Sequence, residues 1–153
     1  MAAGDVNRDG HVDLLTAHNA HRDFAVLLGT ASGRFRAAQP YTGPGTTDLA
    51  VGDLDADGHL DVALGTDGDS VAVRLGAGDG TFGPARAYPA GSDAFGVRLG
   101  HLNRDHHLDL AVADFGDNSV SALLGAGDGT FGRRRNYRMR GHTNVDTALL
   151  ADC

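Results

Sequence analysis

The stretch DLDADGHLD, residues 53–61, places carboxylates at its first, third, fifth and ninth positions and a glycine at its sixth. Carboxylates this close repel one another unless a cation lies among them. Calcium binds roughly six to eight oxygens at about 2.3 to 2.6 Å, from carboxylates, backbone carbonyls and water. Gly58 reaches the positive φ of a tight turn at little cost, so the chain can wrap around an ion. The stretch therefore predicts a calcium loop.

The alternation gives the candidate ligands of this loop. They are the side chains of Asp53, Asp55, Asp57 and Asp61 and the backbone carbonyl of His59. Asp, Asn and Gly also favour turns in which a side chain caps its own backbone, and that simpler interpretation needs no ion. The same nonapeptide recurs in phase along the chain, and this repetition favours calcium over a plain turn.

The first copy of the nonapeptide is DVNRDGHVD, which begins 48 residues before the stretch at 53–61. An amide oxygen replaces the second carboxylate, so the site keeps its ligand atom but loses one charge. We expect a somewhat lower affinity here. The candidate ligands are the side chains of Asp5, Asn7, Asp9 and Asp13 and the backbone carbonyl of His11.

The third copy, HLNRDHHLD, departs from the pattern at two positions. His101 takes the first ligand position, and His106 replaces the glycine. We expect this site to be degenerate, and the ligand candidates that remain are Asn103, Asp105 and Asp109. A zinc or copper site formed by the local histidines is a less favoured alternative.

These loops are not of the EF-hand or dockerin type. Such loops carry an acidic ligand at a twelfth position that opens a helix, whereas that position is Thr16 in the first copy and Leu64 in the second. The segments that follow, DVALGTD from Asp61 and DLAVADF from Asp109, are short apolar runs ended by glycine or aspartate. Runs of this kind predict strands.

Repetition extends over the whole chain. One period predicts four short strands, which are LAVGD from Leu49, DVALGT from Asp61, VAVRLG from Val71 and ARAYPAG from Ala85. A four-stranded sheet of this size buries little alone and packs face to face with its neighbours, as a β-propeller blade does. We predict an all-β partial propeller of about three four-stranded antiparallel blades. Its repeats cover approximately residues 1–48, 49–96 and 97–146, and residues 147–153 form the first strand of a further blade.

A second marker recurs with nearly the same period. It is the aromatic residue of GTASGRF and of two GAGDGTFG segments, namely Phe35, Phe82 and Phe131. We predict that these three side chains pack between blades. The G-x-G-x-x-G spacing inside GDGTFG does not predict a dinucleotide site, because no helix follows it.

The period, the acidic nonapeptide between the first two strands and the GDGTFGPA segment resemble the FG-GAP or VCBS repeats of integrin α-subunit propellers and their bacterial relatives. The resemblance covers essentially the whole chain and implies both the propeller fold and calcium ligation by the residues named above. At His101 and His106 the chain leaves the family pattern. The resemblance does not specify a role, because such propellers occur in adhesins, in lectins and as appendages of secreted enzymes.

The two ends of the chain fall at nearly the same phase of the repeat. TALLADC from Thr147 aligns with DLAVGDL from Asp48, whereas the N-terminus keeps only AAG of its own first strand. Propellers usually have about four to eight blades. We therefore expect either an open stack with exposed end strands or a homo-oligomer, such as a six-bladed dimer, in which the tail strand of one copy completes the first blade of another.

Composition limits the partners. The 153 residues carry a formal net charge of −7, which argues against nucleic acid as a partner. The single cysteine, Cys153, allows no internal disulfide. No apolar stretch is long enough to cross a bilayer, and no signal peptide opens the sequence. Because calcium loops of micromolar or weaker affinity are expected outside the cell, we predict a fragment of an extracellular or cell-surface protein.

Catalysis finds little support in the sequence. No G-x-S-x-G motif occurs, and the acidic clusters are all assigned to the loops. His18 and His21 are too few for a transition-metal site, and the histidines at the seventh loop position are predicted to expose their rings. We predict that the protein is not an enzyme.

The function predicted from these observations is that of a binding or adhesion scaffold outside the cell, with structural calcium and an unknown protein or glycan ligand. The alternatives are a carbohydrate-binding propeller and a non-catalytic appendage of a secreted enzyme. A carbohydrate site needs aromatic platforms, and the candidates are Tyr41, Tyr88 and Tyr137. Tyrosines at such positions more often cover the core or edge of a strand.

Overall fold

The computed structural model describes residues 1–18, 23–43 and 45–139. These residues form twelve β-strands and no helix. The strands are β1 (Ala2–Gly4), β2 (Asp13–His18), β3 (Asp23–Leu27), β4 (Gln39–Thr42), β5 (Thr46–Gly52), β6 (Asp61–Thr66), β7 (Ser70–Arg74), β8 (Arg86–Pro89), β9 (Ala94–Gly100), β10 (Asp109–Asp114), β11 (Ser119–Leu123) and β12 (Arg135–Arg138).

The strand predicted over residues 147–153 lies outside the part of the chain that is described. So does His21, which the sequence analysis considered together with His18. Across the described ranges, no helix is long and apolar enough to cross a membrane.

The strands form three antiparallel sheets, each of four consecutive strands in chain order. Blade 1 contains β1–β4, blade 2 contains β5–β8 and blade 3 contains β9–β12. The fold class predicted from the sequence is confirmed, and the four strands predicted within one period correspond to β5–β8. The first strand of each blade meets the preceding blade, since β5 contacts β1 and β2 while β9 contacts β5, β6 and β7.

Blade 2 is buried on both faces because it lies between two neighbours. All six residues of β6 are buried. Successive side chains of a strand point to opposite faces, so Val62 and Leu64 join the core shared with blade 1, whereas Ala63 joins the core shared with blade 3. The continuous apolar run of this strand therefore fills two cores.

The turn after the third strand of each blade is an aromatic hairpin that is closed by a glycine–phenylalanine bridge. The bridges join Gly29 to Phe35, Gly76 to Phe82 and Gly125 to Phe131. In each hairpin the residue after the phenylalanine donates its backbone N–H to the carbonyl of the leucine before the glycine, at 2.8 Å. The bridge and this bond recur in all three blades, but the turn inside the hairpin differs. In blade 1 the Gly33 amide donates to the Thr30 carbonyl, whereas in blades 2 and 3 the amides of Ala77 and Ala126 donate to the carbonyls of Thr81 and Thr130.

The predicted packing of the hairpin phenylalanines between blades is confirmed at two of the three positions. Phe82 packs edge-on against Phe24 and Tyr41 of blade 1, with ring centroids 5.8 and 5.7 Å apart. Phe131 packs in the same way against Tyr88 of blade 2, at 5.3 Å. The prediction is wrong for Phe35, which is 46% exposed. This position packs against the preceding blade, and no described residue forms a blade before blade 1.

Candidate metal centre

Each acidic nonapeptide forms the loop between the first two strands of a blade. The last residue of the first strand pairs directly with the ninth residue of the loop, as Gly4 with Asp13, Gly52 with Asp61 and Gly100 with Asp109. The strand pair closes the base of the loop. Ligand positions that are far apart in sequence therefore lie close together in space.

The second loop brings three of its predicted ligands into one cluster. Asp53, Asp55 and Asp61 each offer a carboxylate oxygen, and these oxygens lie within 4.8 Å of one another. Asp53 is held in place because its two oxygens accept the backbone N–H groups of Asp57 at 3.2 Å and Gly58 at 3.0 Å. An all-oxygen donor set of this kind suits a hard cation such as calcium.

Asp57 is not part of that three-residue cluster. Its carboxylate accepts the backbone N–H of His59 at 2.8 Å and lies 3.0 Å from Nδ1 of the same residue. The His59 side chain is only 25% exposed, and a Cβ atom added to Gly78 would lie 2.5 Å from its ring. The prediction that this ring faces solvent is therefore wrong, because the ring packs on the aromatic hairpin of its own blade.

Burial and the closeness of neighbouring carboxylates raise the pKa of two aspartates in the second loop. Burial raises the pKa of Asp61 to about 6, with smaller contributions in the same direction from Asp55 and Asp57, while two backbone hydrogen bonds oppose the shift. Burial and the neighbouring Asp57 carboxylate also raise the pKa of Asp55. A divalent cation among these groups would favour their ionised forms.

The ninth loop residue also has a structural role that sequence reasoning missed. Asp61 is fully buried, and its two oxygens accept backbone N–H groups from Leu54 in the loop and Gly76 in the aromatic hairpin, each at 2.7 Å. Asp13 and Asp109 make the same pair of bonds in their own blades. The recurring glycine that starts each hairpin was the available sequence signal.

The first loop repeats the geometry of the second. Asp5 accepts the backbone N–H groups of Asp9 at 3.2 Å and Gly10 at 2.8 Å, as Asp53 does in its loop. Oδ1 of Asn7 accepts the Asp9 amide at 3.1 Å, which places an amide oxygen where the second loop has a carboxylate. A hydrogen bond from the Asn7 side chain, and after it one from the His11 backbone, lower the pKa of Asp9.

Backbone conformation separates the third loop from the other two. The fourth and sixth loop positions are left-handed in the first loop, at Arg8 (φ 60°) and Gly10 (φ 83°), and in the second, at Ala56 (φ 60°) and Gly58 (φ 82°). In the third loop only the sixth position is left-handed, and there a histidine, His106, adopts φ 65°.

In the third loop a histidine side chain forms a hydrogen bond across the loop. Nδ1 of His101 donates a hydrogen bond to the backbone carbonyl of His107 at 2.9 Å. That carbonyl occupies the seventh position, which corresponds to the predicted carbonyl ligands His11 and His59. Asn103 and Asp105 keep their local bonds, since Oδ1 of Asn103 accepts the Asp105 amide at 2.8 Å. The imidazole thus bonds to an oxygen that a cation would otherwise use.

A second buried carboxylate, which the sequence did not single out, lies at the other end of blade 3. Asp114 is fully buried and accepts hydrogen bonds from the hydroxyl of Ser121 at 2.6 Å, that of Ser119 at 3.2 Å and the Gly91 amide at 2.8 Å. Burial raises its pKa, and these hydrogen bonds oppose the shift. These contacts join blade 3 to the segment that leaves blade 2.

Comparison with known protein families gives two overlapping matches. A family model described as an FG-GAP-like repeat matches residues 5–64 and again residues 53–112. Each match begins at the first residue of an acidic loop, at Asp5 or Asp53, and ends within the second strand of the next blade. No curated protein matches the chain.

Proposed function

Because the chain belongs to the FG-GAP-like repeat family, we propose that it binds calcium in its first two acidic loops and that the ions serve a structural role. The residues that would hold the ions are the side chains of Asp5, Asn7, Asp9, Asp13, Asp53, Asp55, Asp57 and Asp61, with the backbone carbonyls of His11 and His59. The bound ions would supply positive charge among these oxygens.

The observation that carries this proposal is the cluster of Asp53, Asp55 and Asp61, whose oxygens lie within 4.8 Å of one another. Like charges at that separation favour protonation or a counter-cation. The raised pKa of Asp61, about 6, reflects burial and its carboxylate neighbours. At neutral pH a divalent ion satisfies all three groups together.

A structural role follows from what the loops contact. The carbonyls of Val6 and Leu54, which lie inside the first two loops, accept the backbone N–H groups of Gly80 and Gly129 from the next blade, each at 3.0 Å. An ion that orders a loop therefore also fixes the surface on which the next blade packs. We expect calcium to stabilise the association of blades and not to take part in a reaction. In this proposal the protein is not an enzyme.

The proposed role is that of a binding or adhesion scaffold outside the cell. Extracellular calcium modules bind with dissociation constants of roughly 10⁻⁴ to 10⁻³ M, and such loops are filled only where calcium is abundant. The partner would be a protein or a glycan. A non-catalytic appendage of a secreted enzyme is compatible with the same structural role.

A carbohydrate-binding role is the weaker candidate. It needs exposed aromatic platforms, but Tyr88 is 8% exposed, and Tyr41 stacks on Phe24 with centroids 4.9 Å apart. Both rings lie in the junctions between blades. Tyr137, which is 52% exposed, is the one of the three tyrosines that offers an open ring.

Thermal unfolding in calcium and in excess chelator tests the proposal. An ion that binds only the native loop stabilises the fold by about 2.7 kcal/mol per site when calcium is about 100 times its Kd. We expect a lower melting temperature in chelator for the natural chain. The variant Asp53→Asn/Asp55→Asn is expected to lose part of that difference. Identical melting curves with and without calcium would refute the proposal.

A further inference from the structure

The first two acidic loops are joined to each other by the aromatic hairpin of blade 2, Gly76–Phe82. In the turn of this hairpin the Gly80 amide donates to the Val6 carbonyl inside the first loop, at 3.0 Å. At the base of the hairpin the Gly76 amide donates to Oδ1 of Asp61, the ninth residue of the second loop, at 2.7 Å. One hairpin therefore bonds to both loops.

The hairpin contacts the first loop beside one of the predicted ligands. A Cβ atom added to Gly80 would lie 3.5 Å from Cβ of Asn7. The hairpin is held in this position because the ring of Phe82 packs on Phe24 and Tyr41 of blade 1. The bond from the hairpin to the first loop therefore depends on the conformation of that loop.

The second loop also contacts the base of the first loop through a leucine. Leu60 lies in the sequence between two predicted ligands of the second loop, His59 and Asp61. A Cβ atom added to Gly4 would lie 2.7 Å from Cδ1 of Leu60, so this side chain covers the glycine. Gly4 directly precedes Asp5, the first predicted ligand of the first loop. The loops are thus linked at two places.

The same arrangement recurs between the second and third loops. The Gly129 amide of the blade 3 hairpin donates to the Leu54 carbonyl inside the second loop, at 3.0 Å. The Gly125 amide of that hairpin donates to Oδ1 of Asp109 in the third loop, at 2.8 Å. A hairpin that bonds to the loop of its own blade and to the loop of the blade before it is therefore a feature of the repeat.

We propose that the first two loops bind calcium cooperatively, because the blade 2 hairpin and Leu60 transmit order from either loop to the other. The inference rests on the proposed function, since it concerns the two loops assigned there to calcium. A first loop fixed around an ion holds Val6 in place, and with it the hairpin that positions Asp61. The second loop then loses less conformational freedom when it binds its own ion. Such coupling acts equally in both directions.

Calcium titration followed by heteronuclear NMR of the backbone amides tests the inference. The amides of Gly10 and Gly58 donate to the first predicted ligand of their own loops, so their signals report the two loops separately. Asp5→Asn/Asp9→Asn disables the first loop. We expect this variant to bind calcium at the second loop about fivefold more weakly, or weaker still, than the natural chain does.

The reverse experiment disables the second loop with Asp53→Asn/Asp55→Asn and follows the first. We expect calcium binding at the first loop to weaken by a similar factor. If both loops bind calcium but neither is affected by loss of the other, the inference alone fails. If the signals of Gly10 and Gly58 in the natural chain do not respond to calcium, the proposed function fails, and the inference fails with it.

Uncharged substitutions separate these contacts from charge, because removal of aspartates also weakens the long-range attraction of calcium. Phe82→Leu/Leu60→Ala loosens both links and changes no predicted ligand side chain and no charge. In this background we expect disabling the first loop to leave the calcium affinity of the second loop nearly unchanged. Phe131→Leu/Leu108→Ala is the matched control, because it makes the same changes in blade 3, where Leu108 covers Gly52. The control is expected to keep the coupling, whereas coupling that persists in the first background would overturn the inference.

Hydrogen exchange tests the same contacts without loosening them, should the variant with both links changed fail to fold. In Asp53→Asn/Asp55→Asn the proposed calcium is bound by the first loop alone. We expect calcium to slow exchange of the Gly76 amide more than that of the Gly91 amide, which donates to Asp114 at the other end of the blades. Equal slowing at the two amides would reflect a gain in overall stability and would overturn the inference.

Discussion

The carboxylate of Asp61 accepts the backbone N–H of Gly76 at 2.7 Å and thereby joins the acidic loop of blade 2 to its aromatic hairpin. The other oxygen accepts the Leu54 amide inside the loop. The residue that was predicted as the last calcium ligand is therefore also the buried link between the two recurring motifs. Carboxylate oxygens have more than one lone pair, so both roles can be filled by the same atoms.

The structural role of the ninth loop residue can be tested in the third loop, where His101 stands in place of the first predicted calcium ligand. Asp109 accepts the amides of Leu102 at 2.7 Å and Gly125 at 2.8 Å. Asp109→Asn turns one acceptor into a donor that faces a backbone N–H, and we expect a loss of about 1 to 3 kcal/mol in the free energy of unfolding. Urea denaturation in the presence of a calcium chelator measures this loss in the free energy of unfolding.

The control for that experiment is Asp105→Asn in the same loop. Oδ1 of Asp105 accepts the His107 amide at 3.0 Å, and asparagine retains that acceptor oxygen. The bond from Nδ2 of Asn103 to Oδ2 of Asp105 is lost, but it is exposed, so water can replace it. We expect little change in stability. Equal losses in the two variants would contradict a special role for the ninth position.

The junction between blades 1 and 2 depends on Phe82. Its ring meets Phe24 and Tyr41 and is 9% exposed. We expect Phe82→Ala to lower the free energy of unfolding by about 3 to 5 kcal/mol, because it removes a buried ring and leaves a cavity. Phe35→Ala at the equivalent exposed position serves as the control. Because Phe35 is 46% exposed, its substitution is expected to change stability by less than about 0.5 kcal/mol. Similar losses for both variants would argue against the assignment of the junction.

We expect the third loop to bind a calcium ion when its two departures from the repeat pattern, His101 and His106, are replaced by the residues found in the other loops. His101→Asp restores the first ligand and removes the bond to the His107 carbonyl, while His106→Gly suits the left-handed φ of 65° at that position. Native mass spectrometry of the double variant is expected to show one more calcium per chain than the natural protein. His106→Gly alone is the control and gains none. An unchanged count in the double variant would mean that other features disable the loop.

Burial raises the pKa of Asp114 above its ordinary value of 3.8. The folded chain therefore holds this proton to a higher pH than the unfolded chain does. The contribution of Asp114 to stability is complete below pH 3.8 and is lost as the pH rises through the raised pKa. We expect the difference in unfolding free energy between the natural chain and Asp114→Asn to shrink across that interval. Urea unfolding at several pH values measures it, and a difference that grows with pH would reverse the sign of the argument.

Much of the fold could be predicted from sequence because period and pattern act together. The short apolar run that starts at Asp61 and the recurring Phe82 position predict strands and hairpins that the structure confirms. Exposure of Phe35 could not be predicted, because burial at that position depends on a neighbouring blade. The pattern also could not show that His101 bonds to the His107 carbonyl, since that contact depends on a side-chain rotamer in a folded loop.

Calcium titration calorimetry on the natural chain and on Asp53→Ala/Asp55→Ala tests the central claim most directly. The cluster of Asp53, Asp55 and Asp61 and the matching first loop predict two ions for each natural chain and one for the variant. No binding heat from a folded natural chain, or two ions in both proteins, would contradict the claim.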